Sequence, residues 1–150
     1  MISTVDAEHA RDRFAAARVA RLATADGEGR PHLVPVTFAL QDDIVVIAVD
    51  HKPKTTTDLK RLRNIAANDQ VSMLVDHYDD RDWSLLWWVR ADGVARVLGD
   101  GGALVAPLRV KYPQHREVPP TGPVIRVDVH VWRGWSAIPP APRSAESPVT

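Results

Sequence analysis

The richest chemistry in the sequence lies in the segment His51-Lys-Pro-Lys-Thr-Thr-Thr-Asp-Leu-Lys-Arg-Leu-Arg63. Lys52, Lys54, Lys60, Arg61 and Arg63 stand there against one acid, Asp58, in a chain whose formal net charge is zero. Lys52 and Lys54 fall just before a predicted helix, whose first turn carries unpaired N–H groups and the positive end of the helix dipole. Lysine ammoniums and threonine hydroxyls gathered at that point form an anion site, most naturally for phosphate. A solvated basic loop and helix face would use the same residues, and composition alone leaves both readings open.

A second concentration is Leu85-Leu-Trp-Trp-Val-Arg90. Adjacent tryptophans in a strand point to opposite faces, so one can fill a core while the other lines a cleft or a partner surface. Arg90 can reach a ligand or close a structural salt bridge. The histidines at 9, 32, 51, 77, 115 and 130 show no ligand spacing on one element, so no metal site is expected. Asp79, Asp80 and Asp82 lack the glycine and closing glutamate of a calcium loop. Nucleophile-elbow, Walker A and dinucleotide-binding patterns are all missing, and no carboxylate pair suggests acid–base work. No catalytic side chain can be named; if the protein is an enzyme, a bound cofactor carries its reaction.

The elements that must hold these residues read as follows. Ser3–Ala17 is predicted to be a helix, capped by Ser3 or Thr4, with a small apolar stripe of Ala7, Ala10, Phe14 and Ala17 that packs on the outside of something larger. Residues 19–25 read as a strand and 26–30 as a turn. Val34, Val36, Phe38 and Leu40 alternate as one half-buried strand, with an edge or bulge at Pro35. After a turn at Asp42–Asp43, the continuous run 44–49 reads as a buried strand. A helix is predicted over 55–67, strands over 71–75 and 85–98 with a turn or bulge near Asp92–Gly93, a short helix over 103–112, and irregular chain over 113–123. Ile125, Val127, Val129 and Val131 alternate with Arg126, Asp128 and His130 as the last strand. About six mainly antiparallel strands with flanking helices suggest a small barrel.

The chain of 150 residues suits one domain, and its 45% hydrophobic and 25% charged content is that of an ordinary globular protein. No apolar run reaches transmembrane length, and the charged start lacks a signal-peptide core, so no membrane association is expected. Without cysteine there is no disulfide framework, thiolate metal site or cysteine nucleophile. A cytoplasmic protein is expected. Neutral charge gives no support to nucleic-acid binding.

Five stretches together carry a resemblance: Arg-Leu-Ala-Thr-Ala (21–25), Gly-Arg-Pro-His-Leu-Val-Pro-Val-Thr-Phe (29–38), K-P-K-x-x-x-x-L-x-R-L-x-N-I (52–65), V-S-M-L-V-D-x-Y (71–78) and L-W-W-V-R-x-x-G-x-A (86–95). Over roughly residues 10–135 the chain resembles the flavin and deazaflavin oxidoreductases related to pyridoxamine 5′-phosphate oxidase, most closely the actinobacterial branch that uses the deazaflavin coenzyme F-420. The resemblance implies a split β-barrel (residues 1–136) with a Pro-rich tail (137–150), forming a homodimer with two cofactor sites at its interface. It implies that Lys52 and Lys54 bind the cofactor phosphate, aided by Thr55, Thr56 or Thr57, with Arg61 and Asn64 as further contacts. Thr24, His32, Pro35 and Val36 would lie along the ring, and Trp88 and Arg90 would border the cleft.

Two departures narrow the expectation. Where true pyridoxamine phosphate oxidases carry an R-x-x-L-x-K-type strand, this chain reads RPHLVPV, and WRGWSAIPPAPR has no counterpart of their arginine-rich substrate motif. Vitamin-B6 oxidation is therefore not expected. The expected activity is hydride transfer between F-420 and a small organic substrate, with Lys60, Arg61 and Arg63 available for the coenzyme's anionic oligoglutamate tail. The alternatives are an FMN enzyme of the same fold, or a non-catalytic flavin, deazaflavin or haem carrier with His32 or His77 as the haem ligand. No residue is singled out as the proton donor; water or an uncharged side chain would serve.

Overall fold

The computed structural model describes residues 4–49 and 59–138. The helix expected from Ser3 starts later. Asp6 is its cap, with Oδ1 accepting the His9 N–H at 2.9 Å, so α1 runs Ala7–Ala16. The residues before it are extended as β1 (Thr4–Val5), which pairs with the end of the chain's last strand at Trp135 and Gly134. Gly134 permits that approach, since a Cβ there would meet the Val5 Cβ at 3.0 Å. The short apolar stripe of α1 is no outer skin: Ala10 and Phe14 are fully buried. The Phe14 ring lies 4.7 Å from Phe38 and 5.2 Å from Trp132, centroid to centroid.

β2 (Ala20–Ala25) and β3 (Pro31–Val36) form a hairpin around the expected turn, where Asp26 Oδ1 accepts the N–H groups of Glu28 and Arg30, each at 2.9 Å. The single strand expected across Val34–Leu40 is two. β3 pairs with β2, whereas β4 (Ala39–Gln41) pairs with β5 (Ile44–Ala48). The chain changes partner at Thr37–Phe38, and the Phe38 N–H donates to the Tyr112 hydroxyl at 3.2 Å. β3 is an edge strand, which suits Pro35. The uninterrupted apolar run of β5 has a simple cause: Val45 and Ile47 enter the main core, while Val46 faces a second cluster with Leu108, Tyr112 and Val124.

α2 (Lys60–Ala67) begins after the expected Thr55. Leu59 is extended, and its carbonyl takes the first helical hydrogen bonds from the Leu62 and Arg63 N–H groups. It has no side-chain cap. The earlier part of that expected helix, with Thr55, Thr56 and Thr57, lies outside the described residues, as do Lys52 and Lys54 before it and the tail from Pro139.

β6 (Gln70–His77), β7 (Trp87–Leu98) and β8 (Val124–Ser136) complete the strands. A 3-10 turn over Trp83–Leu85 precedes β7, and another over Gly102–Val105 leads into α3 (Ala106–Lys111), whose first turn holds Pro107. The segment read as irregular contains α4 (Pro113–Glu117), because Pro113 supplies the fixed φ that suits a helix start. β8 is longer than its clear alternation suggested.

The sheet runs β3-β2-β6-β7-β8-β5-β4, with β1 joined to β8. Among the described residues eight strands stand where about six were expected, and their pairings are antiparallel throughout, giving the split-barrel, mainly β fold. The irregularity expected near Asp92–Gly93 is a bulge: Asp92 faces Val131 while Gly93 faces Val129, leaving His130 as the extra residue. The bulge breaks the alternation of β8, so Val131 is 37% exposed while Ile125, Val127 and Val129 stay in the core. Among the described residues no helix is long and apolar enough to cross a membrane.

Candidate functional site

Alternation along three neighbouring strands builds the first candidate cleft. In β2, β6 and β7 the residues Leu22, Met73 and Val89 point into the barrel, so Arg21, Leu74, Trp88 and Arg90 are left on the outer face. They border a cleft of about 620 Å³ with Leu33 and Trp135. Trp87 also touches this cleft, but it packs against the core with the Arg13 guanidinium 5.0 Å from its ring. Arg90 is anchored: its Nε donates to Asp92 Oδ1 and Oδ2 at 3.0 and 3.1 Å, and Asp92 also accepts the Ser72 hydroxyl at 2.7 Å. The structural salt bridge and the cleft position therefore belong to the same residue.

A second cleft, about 830 Å³, opens where β2 begins and where the chain leaves β3 and β5. Arg18, Thr37, Ala48 and Val49 form one side; Tyr112, His115, Pro120 and Thr121 form the other. Tyr112 ties the two sides together. Its hydroxyl donates to the Arg18 carbonyl at 2.9 Å and accepts from the Phe38 N–H, while burial pushes its pKa up. Arg18 lies 4.8 Å over the Tyr112 ring and donates from Nη2 to the Lys111 carbonyl at 3.0 Å.

Lys111 sits behind this wall. Its Nζ lies 3.8 Å from the Phe38 ring centroid and 5.3 Å from that of Tyr112, buried and without a hydrogen-bond partner. Burial, then the Arg18 charge, pushes its pKa down from 10.5 to about 8. Between those values the unfolded chain holds a proton that the folded chain has released, so stability rises with pH across that window. Below about 8 both forms are charged and the desolvation penalty is fully present. The two aromatic faces offset part of it, so Lys111→Met is expected to stabilise the fold by about 1–2 kcal/mol at neutral pH. Urea unfolding from pH 7 to 10 checks this: the variant should lose the alkaline rise, and equal profiles for both proteins contradict the assignment.

The residues expected from sequence are divided among three places. Trp88 and Arg90 meet at the first cleft. Pro35 and Val36 lead directly into Thr37 of the second, and the chain leaving Val49 leads to Lys52 and Lys54. Thr24 and Asn64 face inward instead: Asn64 Nδ2 donates to Thr24 Oγ1 at 3.0 Å, and both are buried. This bond fastens α2 to β2. His32 is the ladder partner of Thr24, and buried polar atoms without a hydrogen bond, His32 Nδ1 and Asn64 Oδ1, flank the threonine. Arg61 is half-buried on the same helix. Lys60 is paired to Asp26 at 3.8 Å, and the Asp26 carboxyl is held below the usual range, chiefly by the Arg30 backbone N–H.

Arg21, Leu33, Leu74 and Trp135 were not anticipated at the first cleft, nor Thr37, Tyr112 and His115 at the second. The period-two pattern of β2 and β6 could have separated the faces, but not shown which one faces outward. His77 lines the first cleft and stacks on Trp87 with centroids 6.2 Å apart. Among the described residues no group of three His, Asp or Glu side chains could hold a metal.

A split barrel with a cleft on its outer face and another beside its α3–α4 arm defines a class to which comparison adds a family. The chain belongs to the pyridoxamine 5′-phosphate oxidase family, whose sequence model matches residues 6–136. It is 34% identical over 82 residues to a 5a,11a-dehydrotetracycline/5a,11a-dehydrooxytetracycline reductase of Streptomyces rimosus, a match covering 55% of this chain and 56% of that enzyme. The chain thus matches little more than half the length of that curated relative. An FAD-binding protein from Mesorhizobium loti shares the fold at a TM-score of 0.71 and 23% identity, over 92% of this chain and 99% of the other. A haem storage protein from Vibrio cholerae shares it at a TM-score of 0.64 and 15% identity, over 83% and 90% of the two chains.

Proposed function

We propose that the protein is an oxidoreductase that uses the deazaflavin coenzyme F-420 to reduce a small conjugated organic substrate, in a homodimer with the cofactor at the interface. One observation supports the reading: Trp88 and Arg90 line one cleft of the protomer, while Pro35 and Val36 lead into Thr37 at another. The second cleft is lined by Ala48 and Val49, which precede the lysine segment in sequence, and its volume of about 830 Å³ suits a tricyclic ring. The outer face with Trp88 and Arg90 carries exposed apolar residues, including Leu33 at 66% and Tyr78 at 59% exposure. A second copy docked by that face would cover them and complete the site.

In this arrangement Lys52 and Lys54, with Thr55, Thr56 or Thr57, hold the phosphate. The chain at Pro35, Val36 and Thr37 lies along the ring, and Trp88 and Arg90 close it from the neighbouring copy. The Thr24–Asn64 bond acts one step back by fixing α2 against β2, with His32 beside it. Arg61 and Arg63 are assigned to the anionic tail; Lys60 is paired with Asp26. The coenzyme supplies the hydride; the protein binds, orients one ring face and shapes an apolar pocket. The Streptomyces rimosus relative, a reductase of dehydrotetracyclines by name, supports a reductive direction and an unsaturated substrate.

Titration of the cofactor-stripped protein with F-420 and with FMN, followed by fluorescence, tests the reading. Saturable binding with preference for F-420 is expected. Lys54→Ala should weaken it by about 10- to 150-fold, the equivalent of losing one charge-assisted contact of roughly 1.5–3 kcal/mol. Sedimentation at micromolar concentration should show a dimer. Preference for FMN moves the protein to the flavin enzymes of the fold, and binding of neither removes the redox assignment. An unchanged Lys54→Ala affinity removes the phosphate role of that lysine.

A further inference from the structure

We infer that His115 is the proton donor of the reduction, an assignment that rests on the proposed reductase reading and places the substrate in the second cleft. Hydride addition to an electron-poor carbon of a C=C bond conjugated with a carbonyl leaves an enolate. A proton must then reach its α-carbon or oxygen. An acid of suitable strength has to face the cleft where the substrate lies.

The polar groups around that cleft divide sharply. Thr37, Gln114 and Thr121 are uncharged and are not acids near neutral pH. Arg18 is a permanent cation already placed over the Tyr112 ring and bonded to the Lys111 carbonyl. Tyr112 is the other proton-bearing candidate, but its hydroxyl is engaged on both sides, donating to Arg18 and accepting from Phe38. Giving up that proton would break the contact that joins the two walls. His115 remains. Its backbone N–H donates to the Tyr112 carbonyl at 3.1 Å, and its ring stands edge-on to the Tyr112 ring at 5.7 Å and 89°. Neither ring nitrogen has a hydrogen-bond partner among the described residues.

The imidazole is thus oriented by an aromatic wall and by α4, with both nitrogens unpartnered among the described residues. The charged groups near it are accounted for: Arg18 across the Tyr112 ring, Lys111 beneath that ring, and Arg116 and Glu117 beside it on α4. Arg116 is directed away, donating to the carbonyls of Arg109 and Val110 at 3.0 and 2.9 Å. In the step itself the imidazolium N–H bond breaks and a C–H or O–H bond forms on the enolate. Two electrons come from the reduced deazaflavin, and solvent reprotonates the imidazole through the open mouth of the cleft.

The test combines binding, proton NMR and rate. His115→Gln should bind oxidised F-420 within about twofold of the wild type, since no phosphate contact is lost. The wild-type His115 ring C–H resonance, identified by its disappearance in His115→Gln, should shift when F-420 saturates the protein. With reduced F-420 and 2-cyclohexen-1-one as probe, the wild-type rate should fall as pH rises. His115→Gln should be slower by about 10²- to 10⁴-fold and lack that limb. Cofactor binding without any His115 shift, or a pH limb retained in His115→Gln, overturns the proton-donor role and leaves the cofactor reading standing. Failure of the wild type to bind F-420, or to reduce the enone once loaded, overturns both.

Discussion

Phe14→Ala is expected to destabilise the protein by about 3–5 kcal/mol, the range for truncating a fully enclosed phenylalanine. The ring has no exposed surface and is flanked by Phe38 at 4.7 Å and Trp132 at 5.2 Å, so neither neighbour can fill the void without leaving its own packing. It is also the chief apolar anchor of α1, whose other buried residue is Ala10. The polar contacts of that helix are exposed and weak by comparison. Arg11 Nε donates to Asp43 Oδ1 at 3.0 Å, and the Trp132 indole N–H donates to the same oxygen at 2.9 Å. Urea unfolding at one fixed protein concentration measures the change, because association would otherwise shift the midpoint. Phe14→Leu should lose roughly 1–1.5 kcal/mol, since it keeps most of the volume. A cost below 1 kcal/mol for Phe14→Ala would show that α1 does not close the barrel.

The same packing reaches the second cleft. Phe38 meets Phe14 on one side and the Lys111 ammonium on the other, while its N–H donates to the Tyr112 hydroxyl. Tyr112 in turn holds the start of β2 through Arg18 and presents His115. The cleft wall is therefore set by the barrel core through three residues in contact, rather than by a free loop. Damage at Phe14 should pass to cofactor binding as well as to stability.

Strands were legible in the sequence wherever one face was core and the other was not. Val71 to Val75 and Ile125 to Val129 alternate cleanly, and the structure keeps them as strands. The run 44–49 was legible for the opposite reason: with a core on each side, β5 has no polar face to show. Where pattern failed, a local contact decided. Asp6 rather than Ser3 or Thr4 caps α1, and a change of strand partner at Thr37–Phe38 splits an apparently continuous alternation. α4 was hidden because a proline-rich stretch reads as irregular, although Pro113 at a first helical position favours a helix. That misreading also concealed His115. Among the candidate site residues, the opposite facing of Trp87 and Trp88 was legible from strand alternation, but not which of them borders the cleft; Arg90, read as either a cleft residue or a salt-bridge partner, is both. The inward turn of Thr24 and Asn64 was not, because it depends on how α2 lies across β2.

Gly93→Ala is expected to cost about 3 kcal/mol or more, for a reason that concerns space rather than backbone angle. A Cβ at Gly93 would sit 2.3 Å from the Asp128 carbonyl oxygen and 3.0 Å from both the Asp128 carbonyl carbon and the Val129 Cα. All three are main-chain atoms of the neighbouring strand, so no side chain can swing aside. Relief requires β7 and β8 to separate at the bulge, where His130 is already unpaired between the Asp92–Val131 and Gly93–Val129 pairs. That separation would disturb the strand just beyond Asp92, which holds Arg90 at the first cleft. Gly99→Ala is the control, since nothing lies within 4 Å of a Cβ placed there. It should change stability by no more than about 0.5 kcal/mol. Urea unfolding of both variants, with F-420 binding on the folded fraction, should find the Gly93 variant strongly destabilised and weakened in binding, and the Gly99 variant close to wild type. A Gly93→Ala protein as stable as the control would mean that β7 and β8 are not joined in this register, and Trp88 and Arg90 would then lose their common position on the cleft.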